Sequence, residues 1–400
     1  MLDAYIYSGL RTPFGRHAGK LASVRADDLI AGVMAEVVKR SPFPAELIED
    51  VILGCTNQAG EDSRNVARNA LLAAGLPVTV PGQTVNRLCA SGLAAVLDAA
   101  RAISAGEGEL YLAGGVESMS RAPFVTAKAE SPYQREMRTF DSTIGARFPN
   151  PRIVEKYGAD TMPETGDHVA KQFGVSREHA DIFAAASQAK YAQARSAGFF
   201  KDEILPVSVS TGRKSPPVVV ADDEHPRPES NLAALQKLKP LFEGGVVTAG
   251  NASGINDGAA ALFIGSRAIG EKHAIKPIAR ILSGAAAGVE PRIMGVGPAY
   301  AIPKALARAK LTLADMDIIE INEAFASQVL GCLALLGVPF DDGRINPNGG
   351  AIALGHPLGA SGARLALTAA RALHARNGRY AAVSLCIGVG QGLAIIIERV

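Results

Sequence analysis

The feature that most constrains the fold is an internal repeat. Cys89 to Ile103 (CASGLAAVLDAARAI) aligns with Gly359 to Leu373 (GASGARLALTAARAL) at a shift of 359 − 89 = 270, with 8 of 15 residues identical. Alanine-rich helices match easily by chance, but flanking segments repeat at similar shifts. Asp50-Val-Ile-Leu53 runs toward Cys55 much as Asp317-Ile-Ile-Glu320 runs toward Asn322, and Ala4 to Gly9 (AYIYSG) resembles Ala279 to Gly284 (ARILSG). Two copies of one structural unit account for this with the fewest assumptions.

Each copy reads as strands alternating with helices, the pattern of a mostly parallel sheet covered on both faces. The first has predicted strands near 4–7, 50–53, 84–88 and 110–113, and helices near 26–39, 65–74 and 92–104. The helix after Cys89 carries Leu93, Val96, Leu97, Ala100 and Ile103 on one stripe and mostly alanine elsewhere. A helix that small on every side is expected between layers rather than at the surface. Between the copies, from Arg121 to Gly245, proline, methionine and charge rise, the repeat disappears, and the stretches Gly212–Pro217 and Asp222–Pro228 read as loops. One strong helix is predicted there, from Ser176 as N-cap to Gly198. The expected division is 1–120, an inserted lobe 121–245, a return at 246–270, and 271–400.

Lys plus Arg is 41 against 39 Asp plus Glu, a formal charge of +2 that offers no footprint for nucleic acid or an anionic membrane. No apolar run is read as reaching the roughly 20 residues of a membrane span. The opening Met1–Tyr7 has no basic leader, and Glu398-Arg-Val400 no sorting tail, so a cytoplasmic location is expected. The four cysteines, Cys55, Cys89, Cys332 and Cys386, stand too far apart for a disulfide scaffold and are expected to be free thiols.

Two of these thiols stand where chemistry is expected. Cys89 sits between a predicted strand end and a helix start, where the helix dipole would lower its pKa and favour thiolate; a packing cysteine is the plainer reading. Cys386 closes the strand 381–385 and opens Cys-Ile-Gly-Val-Gly-Gln-Gly392. No helix follows to receive a pyrophosphate, so a dinucleotide site fails and a proton donor beside glycine amides fits better. His356 lies in a glycine-rich run, Asn346 to Gly362, which lets backbone approach a ligand closely. It is either a base for Cys89 or an ordinary loop histidine, and the repeat favours the former because Gly359 occupies the position equivalent to Cys89. Asn322 either positions a water or caps a loop. No residues have metal-ligand spacing, and neither a phosphate-binding P-loop nor a serine-hydrolase elbow occurs.

Six segments in order, Asn86–Gly92, Gly114–Ser120, Thr248–Gly258, Asn322–Ala326, Gly355–Gly362 and Cys386–Gly388, resemble the thiolase family over essentially the whole chain. The resemblance implies an α/β fold of five layers (αβαβα), built from two similar halves with an inserted loop domain that receives coenzyme A, assembled as a homotetramer or homodimer. It implies an acyltransferase with no permanently bound cofactor, coenzyme A serving as co-substrate. Cys89 would be the acylated nucleophile, His356 its base and Cys386 the acid/base. Asn322 would hold a water that forms one oxyanion hole with His356, and the backbone amides of Cys89 and Gly388 would form the other. For coenzyme A the resemblance points to Ser253, Met162, Phe325 and Arg227.

Gly54–Arg68, Ser142–Phe148, Met162–Thr165 and Cys386–Gly392 most resemble the 3-oxoadipyl-CoA branch of the family, which works in bacterial aromatic catabolism. Thr161 and Val389 depart from the pattern of many acetoacetyl-CoA thiolases, which have histidine and glycine there. A dicarboxylic acyl chain needs a distal cation, and Arg147 is the candidate; a surface or interface arginine is the alternative. The other readings are an acetoacetyl-CoA or fatty-acid thiolase and, in a different class, a non-catalytic coenzyme A or lipid binder.

Overall fold

The computed structural model describes residues 1–212 and 215–400; Arg213 and Lys214 of the predicted 212–217 loop lie outside the described residues. The main sheet is built from β1 (Ala4–Arg11), β2 (Asp50–Gly54), β3 (Gly82–Val85), β4 (Leu110–Ser118), β5 (Asn256–Gly265), β6 (Ala279–Gly288), β7 (Ile318–Ile321), β8 (Tyr380–Ile387) and β9 (Gln391–Arg399). Their order is β7-β8-β9-β6-β1-β5-β4-β2-β3, with the short segment Gly15–Arg16 added beside β5.

The order reads the same outward from its centre. From β1 the neighbours are β5, β4 and β2; from β6 they are β9, β8 and β7, with matching strand directions. At the junction β1 and β6 pair antiparallel, Ala4 with Ile281, Tyr5 with Arg280 and Ile6 with Ala279. These are the two segments whose sequences repeat, so equivalent strands meet each other across a local twofold. The predicted sheet was mostly parallel, whereas five of the eight neighbouring pairs are antiparallel. The cause is connectivity. β8 returns through a three-residue turn into β9, which forces an antiparallel pair, and β5 reaches its place beside β4 only after the inserted lobe.

Six helices complete the layers: α1 (Ala26–Arg40), α2 (Val66–Ala73), α3 (Ser91–Ala105), α4 (Gly297–Ala309), α5 (Ala326–Leu336) and α6 (Leu358–Ala375). α3 and α6, the repeated helices, lie between the two halves of the sheet. They pack in one core with Ala260, Leu262 and Ile264 of β5 and Leu393, Ile395 and Ile397 of β9. The alternate residues of β5, Ala259, Ala261 and Phe263, face a second core with α1 and α2, while Ala394 and Ile396 of β9 face a third with α4 and α5. Strict alternation into two cores is what a sheet buried on both faces requires, and it produces five layers. The stretch Leu88–Ala105 is apolar enough over 18 residues to meet a composition test for a membrane span, contrary to the sequence reading. Its place between the two halves of the sheet accounts for that composition.

Small residues let α3 and α6 cross closely. A Cβ on Gly92 would fall 2.4 Å from the Gly359 carbonyl oxygen, and one on Gly362 would fall 2.3 Å from the Leu93 amide nitrogen. Both obstacles are backbone and cannot rotate away. Gly92→Ala is therefore expected to destabilise the protein by about 3 kcal/mol, read as a lower denaturant midpoint at unchanged m-value.

Between β4 and β5 the chain forms the lobe. It carries two small hairpins, 124–126 with 139–141 and 207–209 with 218–220, and the helices Pro151–Tyr157, Met162–Phe173, Arg177–Ser196 and Leu232–Gln236. The predicted helix matches Arg177–Ser196, whose N-cap Ser176 side chain accepts from the His179 amide. The lobe grips both halves: Val209 and Val220 join the α1/α2 core, and Val169 and Ala170 join the α4/α5 core.

Candidate active site

Cys89 lies in an elbow rather than at the end of a strand. β3 stops at Val85, and Leu88 takes φ +46°. The turn is held by the Ser91 hydroxyl, which donates to the Leu88 carbonyl at 2.6 Å while accepting from the Arg87 amide at 2.9 Å. A side chain thrust out of such an elbow can face another element, and the partner is the β8–β9 turn. The backbone N–H of Gly388 faces the Cys89 sulfur, and Leu88 packs beneath Gly388, where a Cβ would lie 3.2 Å from the leucine Cδ1.

The electrostatics overturn one expectation. Burial pushes the Cys89 thiol up to about 11, and the amides of Gly388 and of Cys89 itself offset only part of the rise. Desolvation of the charged form outweighs the helix end. The residue as a whole still keeps partial exposure. Cys386 is buried in β8 and its thiol is also pushed up, by burial first and then by the neighbouring thiols of Cys89 and Cys332. It packs with Val247, Met294, Ala324 and Phe325, with Met162 alongside. Two protonated thiols thus share one apolar pocket.

His356 is 4% exposed, and burial, followed by the charge of Arg364, pushes its imidazole down to about 3. It is a neutral base. The Ser361 hydroxyl donates to the Pro357 carbonyl at 2.9 Å, so toward His356 Nδ1, 2.7 Å away, it acts as acceptor. This assigns the proton to Nδ1 and makes Nε2 the acceptor, with Asn322 Nδ2 donating to it at 3.3 Å. The Asn322 backbone N–H donates to the Ser384 carbonyl of β8 at 2.9 Å, and its side-chain Oδ1 is buried with no partner among the described residues. No direct bond joins Cys89 to His356 among the described residues; their loops are brought together by the α3–α6 crossing.

The glycines around His356 serve the protein's own packing rather than a ligand. A Cβ on Gly355 (φ +99°) would lie 2.5 Å from Asn256 Cγ, and one on Gly350 would lie 2.2 Å from the Glu323 carboxyl carbon. Asn256 accepts the His356 amide at 2.9 Å and donates to the Gly15 carbonyl at 2.8 Å, so it anchors the histidine. The sequence reading gave Asn256, Ser361 and Glu117 no role, although Asn256, Ser361 and Glu117 all stand in segments it singled out. Spacing alone did not show that each would bond to a catalytic loop.

Of the remaining predicted residues, Met162 and Phe325 border Cys386. Ser253 is held at the same place, its amide donating to the Ala324 carbonyl at 2.9 Å. Arg227 is exposed; its charge reaches His225, whose ring lies against Gly254. Arg147 donates from one guanidinium nitrogen to the Ser142 carbonyl at 2.9 Å, and among the described residues no hydrogen bond or ion pair joins it to Cys386 or its neighbours. A cleft of about 590 Å³ runs between Met162–Phe173 and Phe242–Val246, bordered by Asp167, His168, Lys171, Phe242 and Val246. Val246 links it to the pocket around Cys386.

Sequence spacing showed no metal set, yet the fold gathers Cys55, Asp62 and Glu117 with ligand atoms within 4.8 Å of one another. Three backbone amides already occupy the Glu117 oxygens, and burial beside Glu117 and Asp62 holds the Cys55 thiol protonated. That donor set suits structure better than an ion.

Comparison with known proteins agrees with the duplicated architecture. Residues 4–268 match the thiolase N-terminal domain and residues 275–399 the thiolase C-terminal domain. The chain is 57% identical, over 100% of both chains, to the 3-oxoadipyl-CoA/3-oxo-5,6-dehydrosuberyl-CoA thiolase of Escherichia coli K12. It is 56% identical, again over 100% of both, to a beta-ketoadipyl-CoA thiolase of Acinetobacter baylyi. Among solved structures, the Bacillus anthracis acetyl-CoA acetyltransferase superposes with a TM-score of 0.93 at 37% identity, covering 100% of this chain and 99% of that one. Matched half by half and end to end, the chain belongs to the thiolase family.

Proposed function

We propose that this protein is a 3-oxoadipyl-CoA thiolase, cleaving its substrate with coenzyme A to succinyl-CoA and acetyl-CoA. The observation that carries the reading is a pair of neighbouring thiols, Cys89 beside the Gly388 amide and Cys386, together with the uncharged imidazole of His356, held by Asn322 and Ser361 on the loop that the α3–α6 crossing brings toward Cys89. The substrate follows from the names of the full-length relatives.

The resting site carries no charge, so attack and proton transfer go together. Cys89 sulfur bonds to the C3 ketone carbon as its proton passes to His356 Nε2. The C2–C3 bond then breaks, its electron pair moves to C2, and Cys386 supplies the proton that turns the enolate into acetyl-CoA. The proton on His356 then returns to the Cys386 thiolate, so that His356 takes the thiol proton of coenzyme A as its sulfur attacks the succinyl-Cys89 carbonyl and hands it to the departing Cys89 sulfur, releasing succinyl-CoA and the free cysteine. The result is ping-pong kinetics. The amides of Cys89 and Gly388 form one oxyanion hole, and Asn322 with a held water and His356 the other, each donor contributing on the order of 3 kcal/mol.

Coenzyme A takes the lobe side, residues 121–245, with Ser253 at the pantetheine, Met162 and Phe325 at the acyl end and Arg227 toward the nucleotide. The working form is a homodimer or homotetramer, which sedimentation would distinguish. Mass spectrometry after mixing with succinyl-CoA tests the chemistry: a succinyl adduct on Cys89 is expected, and its absence would leave a non-catalytic binder. A panel of 3-oxoacyl-CoA substrates tests the specificity, acetoacetyl-CoA preference counting against it.

Arg147, tethered by a single bond, has guanidinium donors to spare for a terminal carboxylate. Arg147→Ala is expected to raise KM about tenfold for 3-oxoadipyl-CoA and to leave that for acetoacetyl-CoA unchanged; equal effects would remove Arg147 from the acyl site.

A further inference from the structure

Glu117, at the end of β4, is 1% exposed and is not needed by the chemistry above. Its Oε2 accepts from the Thr56 amide at 3.1 Å and the Gly359 amide at 2.9 Å, and its Oε1 from the Asn57 amide at 3.0 Å. These donors come from two places. Thr56 and Asn57 follow β2, and the Thr56 hydroxyl donates to the carbonyl of Leu88, the residue before Cys89, at 3.3 Å. Gly359 lies in the first turn of α6, three residues past His356. One carboxylate therefore spans the loops of both catalytic residues.

We propose that Glu117 is a positioning residue whose ionised carboxylate clasps the nucleophile loop to the base loop, and that its protonation opens the clasp and slows acyl transfer. The proposal rests on reading Cys89 as nucleophile and His356 as base. An ionised carboxylate is acceptor-only and suits three converging N–H donors; protonation turns one oxygen into a donor aimed at other donors. No cation pairs with Glu117 among the described residues. The titratable groups facing it are Cys55 and Asp62 from the loop after β2, and Cys89; α6 contributes only the Gly359 amide.

The clasp opens in an accessible range. Burial pushes Glu117 up to about 7 against the pull of the three amides, while His356 at about 3 and Cys89 at about 11 are silent there. Glu320 of β7, also raised to about 7 by burial, serves as the internal control.

The test is the pH profile of kcat for thiolytic cleavage between pH 5 and 9 in the wild type, Glu117→Gln and Glu320→Gln, with succinyl adduct formation on Cys89 followed by mass spectrometry. The wild type is expected to lose activity about tenfold per pH unit below about 7. Glu117→Gln should flatten that limb and lower kcat about 10- to 100-fold at unchanged KM for coenzyme A, whereas Glu320→Gln should keep the limb. If Glu117→Gln fails to fold, Glu117→Asp keeps the charge but shortens its reach, and should lower kcat while retaining a limb. A wild-type profile without an acid limb, a limb that survives in Glu117→Gln, or an Asp variant with wild-type kcat overturns the proposal. A wild type that forms no adduct overturns the reading of Cys89 itself, and that result is distinct from the others.

Discussion

Cys89→Ala is expected to lower kcat for thiolytic cleavage by about 10⁴-fold or more and to abolish the succinyl adduct, while binding of coenzyme A persists. The size follows from the mechanism. With no sulfur at the elbow, the thiol left beside it is Cys386, which is buried and held protonated. Stopped-flow turnover with intact-mass analysis would check it. Residual activity of a few per cent, or an adduct appearing at Cys386, would mean that the roles of the two cysteines are reversed.

Cys386→Ala should separate the two half-reactions. Cleavage of the C2–C3 bond leaves a carbon base that needs an acid, and loss of that acid is expected to cost about 10³-fold. Exchange of the succinyl group between coenzyme A and Cys89 needs no carbon protonation and should stay within about tenfold of wild type. Isotope exchange between labelled coenzyme A and succinyl-CoA measures the second quantity alone. Equal loss in both assays would make Cys386 a packing residue, since a cavity among Met294, Phe325 and Val247 would impair every step alike.

The duplication was legible because the helices after Cys89 and Gly359 pack against each other, so both copies must be small at the same positions. As candidates, Cys89, His356 and Cys386 stood out at breaks in the strand and helix patterns with glycines close by, whereas Asn322 carried no such local mark. Strand direction was not, because alternation of buried residues is identical in parallel and antiparallel strands. The state of the Cys89 thiol was misjudged for a related reason: the helix start is written beside it in the sequence, but the turn at Gly388 and the apolar wall that desolvate it come from almost 300 residues away. Asn256 and Glu117 were invisible as anchors, since a bond to His356 or Gly359 exists only once the two halves have closed.

The crossing of α3 and α6 has a further consequence. Residue 359 is the counterpart of Cys89, and a Cβ there would fall 2.3 Å from the Val116 carbonyl oxygen. A mirror-image nucleophile is thus sterically forbidden in the second copy, and restoring one by Gly359→Cys would wedge the molecule apart rather than double its output. Symmetry of architecture is here obtained only by giving up symmetry of chemistry: one copy supplies the sulfur that is acylated, and the other supplies the space that lets it work.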